Sequence, residues 1–256
     1  MSRWEALDRA WQQKDTSWVW EYGVIFDLID PESKILDIGC GDGVLGGRLI
    51  QAKQCRVTGM DMSREAVKKA RQNGLEAGIG DIEKPFDFAD NSFDYAILCN
   101  ILEHLVDPLA TLKESLRVSR NGVLISTPNF AVLPARVEVA FGHFPRTPLF
   151  GKRWYNSQHI KLCSYRDFQN VLNELNFNVR LVKKEFQPFH VTPILASRLP
   201  RPLAWFFRKV LGKIEDSIVK ALVKWMPNVF ALSYVVLLQK NDDFSIDKIK
   251  SYEYSV

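Results

Sequence analysis

Four carboxylates and a run of glycines carry the first chemical hint. Ile35-Leu36-Asp37-Ile38-Gly39-Cys40-Gly41-Asp42-Gly43 runs from an apolar stretch into a turn with glycine at every second position. Glycine there lets the backbone turn sharply and lets a ligand approach main-chain atoms closely. Gly41-Asp42-Gly43-Val44-Leu45-Gly46 also satisfies the dinucleotide pattern GxGxxG, so a nicotinamide cofactor is the competing reading. Charge separates the two. A dinucleotide sets its pyrophosphate against a helix N-terminus, where negative charge is stabilised, and Asp37 and Asp42 would repel it. S-adenosylmethionine (SAM) has no phosphate, and carboxylates attract its α-ammonium and sulfonium. Asp61 ends the next apolar stretch, where an acid can accept from both ribose hydroxyls. Asp81, in Gly80-Asp81-Ile82 after a third stretch, can accept from the adenine amino group. Each acid also has a plainer role. A buried Asp37 without a ligand would be costly, which favours the ligand. Asp42 serves equally as a turn residue. Asp61 precedes Met62-Ser63 and could cap the following helix, and Asp81 alone is an ordinary loop acid. Cys40 reads as a small space-filler rather than a nucleophile.

Methyl transfer from a sulfonium is an in-line displacement, so the protein mainly aligns nucleophile, methyl and sulfur. A base is needed only for a weakly acidic hydroxyl or an ammonium acceptor. Glu103, His104, His143 and His159 are available. His104 and His159 are the catalytic candidates. His104 lies just past the fourth predicted strand, with pinning of its loop as an equal alternative. For His159 a backbone hydrogen bond is the stronger reading and substrate contact the second. His143 reads as a loop residue. Trp154-Tyr155 could line an acceptor pocket, although aromatics pack into cores by default. Cys40, Cys55, Cys99 and Cys163 are far apart and show no metal-ligand spacing, so no metal site is expected.

The elements that must position these residues alternate in type. Predicted strands cover 34–38, 56–60, 77–79, 93–99, 122–126, 178–183 and 230–239. Helices are expected at 44–52, from Ser63 to Asn73-Gly74, from Asp107-Pro108 through Leu116, and after the capping box Ser164–Asp167. Such alternation implies a parallel sheet with helices on both faces. Residues 128–156 form a long, irregular or partly helical excursion where a substrate region is expected. Residues 1–240 read as a single domain, with 1–30 as a helical N-terminal cap rich in aromatics (Trp4, Trp11, Trp18, Trp20, Tyr22, Phe26). Residues 186–226 are an amphipathic helical insertion and 241–256 a polar tail.

The 256 residues suffice for one α/β domain with a full core. A net charge of +4 does not mark a nucleic-acid binder, and none is expected as partner. Thiols without pairing, no leader segment and no span-length apolar run point to the cytoplasm. Peripheral membrane contact through 201–226 stays open. There Leu203, Phe206, Phe207, Val210, Leu211, Ile214, Ile218, Ala221, Leu222 and Trp225 recur at helical spacing, opposite Arg201, Arg208, Lys209, Lys213, Lys220 and Lys224. Two helices packed on the domain is the plainer reading, and a lipid-facing surface the functional one.

Ile35–Gly43, Val57–Ser63, Gly80–Glu83 and Phe93–His104 resemble the motifs of class I SAM-dependent methyltransferases. Asn100-Ile-Leu-Glu103-His104-Leu resembles the segment after strand four of ubiquinone-biosynthesis enzymes. Thr127-Pro-Asn-Phe130, Trp154-Tyr-Asn156, His159-Ile-Lys-Leu-Cys163, Arg166-Asp-Phe168 and Pro227-Asn-Val-Phe-Ala231 resemble the MetW type of methionine-biosynthesis protein. The resemblance implies a Rossmann-like, doubly wound sheet of seven strands with the last antiparallel. It implies a SAM-contacting set of Asp37, Gly39, Cys40, Gly41, Gly43, Asp61, Met62, Asp81, Ile82 and Asn100. In it the glycine loop with Asp37 and Asn100 serves the methionine part, Asp61 the ribose and Asp81 the adenine. The reaction expected is methyl transfer to a small-molecule acceptor, with an apolar or lipid-like one open; the alternative is a SAM-binding, non-catalytic partner of an acyltransferase, which would make another protein the partner. The N-terminal aromatic region, the insertion and Glu103-His104 depart from the MetW pattern.

Overall fold

The computed structural model describes residues 17–144, 159–190, 201–206, 209 and 212–249. The expectations for Trp4, Trp11, Trp154, Tyr155, Phe207, Arg208, Val210 and Leu211 lie outside the described residues.

Lys34–Ile38 (β1) pairs in parallel with Arg56–Asp61 (β2) and with Phe93–Cys99 (β4). β2 pairs in parallel with Glu76–Ile79 (β3), and β4 with Ser119–Pro128 (β5). Val179–Pro188 (β6) and Ala231–Lys240 (β7) complete a seven-stranded sheet of order β3-β2-β1-β4-β5-β7-β6. β7 runs against its neighbours. Gly122 near the start of β5 lies beside Leu238, whereas Asn129 just past its end donates its N–H to the Leu232 carbonyl (2.8 Å). On the other side Asn241 N–H meets Asn178 O and Phe189 N–H meets Phe230 O, again in opposite sense. The Rossmann-like sheet with an antiparallel last strand is thus present.

Helices Trp20–Leu28 (α1), Val44–Lys53 (α2), Arg64–Gln72 (α3) and Pro108–Val118 (α4) accompany the first five strands. Leu133–Ala140 (α5), Tyr165–Glu174 (α6), Arg201–Phe206 (α7), Gly212–Trp225 (α8) and Pro227–Phe230 (α9) follow. The caps read from the sequence form as hydrogen bonds. Ser63 Oγ accepts from Ala66 N–H, and Asp107 Oδ1 accepts from Leu109 and Ala110 N–H. Ser164 and Asp167 exchange backbone-to-side-chain bonds of 3.0 and 3.1 Å, a capping box.

The chain divides into two compact units, residues 1–127 with 170–185 and 235–256, and residues 128–169 with 186–234. In the first, α1 contributes Ile25 to a core with Ile35, Leu49, Val57, Val67, Ile97, Leu124 and Val235. In the second, Tyr165 stands edge-on to Phe186 and Tyr234, with centroids 4.9 and 5.1 Å away. The Asn129 amide donates to the carbonyl of Ala231 at 2.8 Å, which holds chain segments about a hundred residues apart together.

Arg117, near the end of α4, anchors the loop before β4. It donates to Phe86 O and Phe88 O at 2.9 and 2.7 Å and to the carboxylates of Glu114 and Asp90. The Arg117 guanidinium holds the Glu114 carboxyl below the usual range. Arg117→Ala leaves two carbonyls and a half-buried carboxylate without this donor. We expect a loss of roughly 2–3 kcal/mol in urea unfolding, whereas Arg120→Ala, whose pair with Asp94 is mostly exposed, changes it by less than about 1 kcal/mol.

Candidate functional site

Parallel strands bring the predicted site residues of the first unit to one edge of the sheet. Asp37 is the second-last residue of β1 and lies level with Gly59 of β2 and Ile97 of β4. Asp61 ends β2, Asp81 follows β3 by two residues and Asn100 directly follows β4. All four lie at the carboxyl ends of adjacent strands, where open α/β sheets bind ligands.

The glycine loop is held by the backbone of β2. Gly39 and Cys40 both donate to Met60 O, at 2.7 and 3.0 Å, and Gly43 donates to Cys40 O. Gly41 and Gly43 sit at φ +55° and +76°, left-handed conformations that other residues rarely adopt. At Gly43 a Cβ would also lie 2.8 Å from the backbone of Ala70 in α3, so only glycine lets α2 start this close to α3. Asp61 ties the loop to the sheet. Its Oδ2 accepts from Gly41 N–H at 3.0 Å and its Oδ1 from Ser63 N–H at 2.8 Å. Ser63, not Asp61, caps the following helix, and Asp61 instead accepts from the N–H of that cap residue.

The electrostatics are one-sided. Glu21, Asp37, Asp42 and Glu103 are all buried. Burial pushes the Asp37 carboxyl up to about 7, and the nearby charges of Asp61 and Asp42 add to it. Burial likewise pushes Glu103 up to about 8, with Glu21 contributing and a Thr127 hydrogen bond opposing. Cys99 at the end of β4 is raised by burial and feels Glu21, Asp37 and Glu103 together. Burial, followed by the charge of Asp37, raises the Cys40 thiol and disfavours the nucleophilic thiolate. Glu103 Oε2 is buried and has no hydrogen-bond partner. Glu21, on the same face of α1 as Ile25, was missed from the sequence. An acid one turn from a core isoleucine was the available signal.

The other candidates find these places. Asn100 is left-handed (φ +51°), its N–H donates to Ser126 O at 3.0 Å, and its Oδ1 accepts from Ser126 Oγ. Asp81 accepts from Glu83 N–H and meets Lys84 at 3.4 Å, so it also shapes its own turn. Ile82 is buried and Met62 half-buried. His104 closes a 3-10 turn, Leu102–His104, with its N–H on Ile101 O. His159 belongs to the second unit, where its ring stands edge-on to Phe130 at 5.7 Å. His143 is exposed and its N–H caps α5 through Glu138 O, the loop role expected for it.

The model of the family described as methionine biosynthesis protein MetW matches residues 20–198. The bifunctional methionine biosynthesis protein MetXA/MetW of Rhodopirellula baltica is 29% identical over 163 residues, 59% of this chain and 26% of that protein. The ubiquinone biosynthesis O-methyltransferase of Hahella chejuensis is 29% identical over 169 residues, 55% of this chain and 70% of that one. A SAM-dependent methyltransferase of Archaeoglobus fulgidus of known structure superposes with a TM-score of 0.55 at 17% identity, covering 93% of this chain and all of that one. At that identity the likeness establishes the fold.

Proposed function

The chain belongs to the MetW family of methionine-biosynthesis proteins, on the class I SAM-dependent methyltransferase fold, and from that premise we propose that it binds SAM and methylates a small molecule in the cytoplasm. One observation carries the reading. In the first unit Asp37 and Asp42 are buried, and burial, with the charges of Asp61 and Asp42 adding to it, pushes the Asp37 carboxyl up to about 7. Mutual repulsion of buried carboxylates destabilises a fold unless a cation relieves it. A pyrophosphate would add to the repulsion, whereas the ammonium and sulfonium of SAM relieve it.

When bound, SAM supplies an electrophilic methyl. This chain's residues bind and orient. Asp37 and the Gly39–Gly43 loop take the amino-acid end, with Cys40 contributing backbone, and Asn100 lies beside it. Asp61 with Met62 takes the ribose, and Asp81 with Ile82 the adenine. Glu103, with an unpartnered buried oxygen and a carboxyl raised to about 8, accepts a proton from the acceptor in its ionised form, so turnover by this route rises with pH toward 8. His104 follows it in the same turn as a second proton acceptor.

Calorimetry tests the reading. SAM and S-adenosylhomocysteine should bind with Kd on the order of 1 μM, near −8 kcal/mol, and NAD should not bind. Asp61→Ala should weaken SAM by roughly 1.5–3 kcal/mol, because it removes the ribose acceptor and loosens Gly41 together. Tight NAD binding without SAM binding would sink the assignment. A second reading, a SAM-responsive partner of another biosynthetic enzyme, is favoured by the bifunctional relative. Cell extract separates the two. A methyltransferase releases S-adenosylhomocysteine when given SAM and extract, and a non-catalytic partner does not.

A further inference from the structure

α8 has two unlike faces. Val219 and Val223 turn inward against Ala231, Phe186 and Phe230. Ile214, Ile218 and Trp225 face outward at 55%, 54% and 84% exposure. At 3.6 residues per turn these three fall within a sector of roughly 40°, and exposed Ala221 lies at its margin. Lys213, Lys220 and Lys224, all exposed, form a parallel rail beside the stripe, about a quarter-turn round the helix. Lys220 is held by Asp216 at 2.7 Å, and Asp216 also meets His190.

The neighbouring segment repeats the pattern. Leu203 and Trp205 of α7 are exposed, as is Met226 after α8. Lys209 Nζ stands 4.5 Å from the Trp205 ring centre. Residues 201–226 carry six basic residues against two acids.

A long exposed apolar stripe is costly in water and marks a surface that something covers. The charge beside it selects the occupant. A second protein would satisfy the apolar stripe alone, but the lysine rail and the basic excess call for a dense anionic surface next to an apolar layer. An anionic bilayer offers both, with headgroup phosphates for lysine and acyl chains for isoleucine and tryptophan. No helix among the described residues is long and apolar enough to cross a membrane, so the fit is to lying on the surface.

We propose that α8, with Trp205, docks flat on anionic membrane through the Ile214–Ile218–Trp225 stripe and its lysine rail. The proposal is independent of the SAM reading.

The test is co-sedimentation of the full chain with phosphatidylcholine vesicles, with and without phosphatidylglycerol, at low and high salt. Binding should require phosphatidylglycerol and weaken with salt. Ile218→Asp should lower the partition coefficient at least about tenfold, since it puts a charge in the apolar stripe. Lys213→Glu and Lys224→Glu should each lower it by about fivefold or more. All three positions are exposed, and circular dichroism with urea unfolding verifies that the variants fold. No sedimentation with anionic vesicles, equal binding to neutral ones, or binding that the variants leave unchanged overturns the proposal. So does a dimer seen by light scattering that Ile218→Asp dissociates, because a second copy then covers the stripe.

Discussion

Asp37→Ala should weaken SAM binding by about a hundredfold, within the 2–5 kcal/mol expected when one partner of a buried charge pair is truncated. The wild-type affinity also depends on pH in a defined sense. The free protein holds the Asp37 carboxyl up to about 7, so it is largely neutral at pH 6 and largely ionised at pH 8. The cationic ligand prefers the ionised form. Affinity relative to Asp37→Asn therefore rises about tenfold from pH 6 to pH 8, the variant cancelling titration of the ligand itself. Stability moves the other way. A carboxyl raised from its ordinary value of 3.8 stabilises the fold least once ionised, so the unliganded protein loses stability as pH rises toward 7 and levels off above it. Asp37→Asn should thus be more stable than wild type at pH 8 and poorer at binding. Calorimetry across pH with both proteins measures the ratio. A ratio that does not change with pH would remove Asp37 from the binding site.

The second large effect belongs to Glu103. Its carboxyl is raised from 4.5 to about 8, chiefly by burial. The protonated acid is favoured in the fold, so its contribution is complete below about 4.5 and is lost as pH rises through 8. Wild type should lose roughly 3 kcal/mol between pH 5 and pH 8 that Glu103→Gln does not lose. Urea unfolding at those two values gives the difference, and parallel losses in both proteins would refute it. Once an acceptor is in hand, Glu103→Gln should lower turnover by about 10²–10⁴ with SAM affinity unchanged, the range for loss of a general base. Equal losses in rate and SAM affinity would instead make Glu103 a structural acid.

Local signals were legible in the sequence where the physics is local. Ser63, Asp107 and Ser164 with Asp167 cap their helices through bonds spanning two or three residues, and each was read from its spacing. The glycine loop was legible because few residue types other than glycine tolerate φ +55° or +76°. Strand length was not. β5 was expected over 122–126 and spans Ser119–Pro128, because pairing with β4 starts at Ser119 and β7 receives its far end. β6 likewise runs five residues beyond its expected end at 183, to Pro188, where hydrogen bonding to β7 sustains it. The role of Asn129 was also hidden, since its amide finds partners only after some hundred residues have been added to the chain. Glu21 and Glu103 look like ordinary helix and turn acids until the core closes over them.

The strand order has a consequence for synthesis. β7 lies between β5 and β6, so a nascent chain that has emerged only as far as residue 230 has neither closed the edge of β5 nor joined β6 to the sheet. At roughly 5–20 residues per second, the ribosome leaves that edge open for on the order of ten seconds after β5 is made. An open edge flanked by Val123, Leu124 and Ile125 is a template for pairing with another chain. Premature termination before β7 should therefore yield aggregates rather than a smaller soluble protein, and yield should improve when holding chaperones are plentiful during expression.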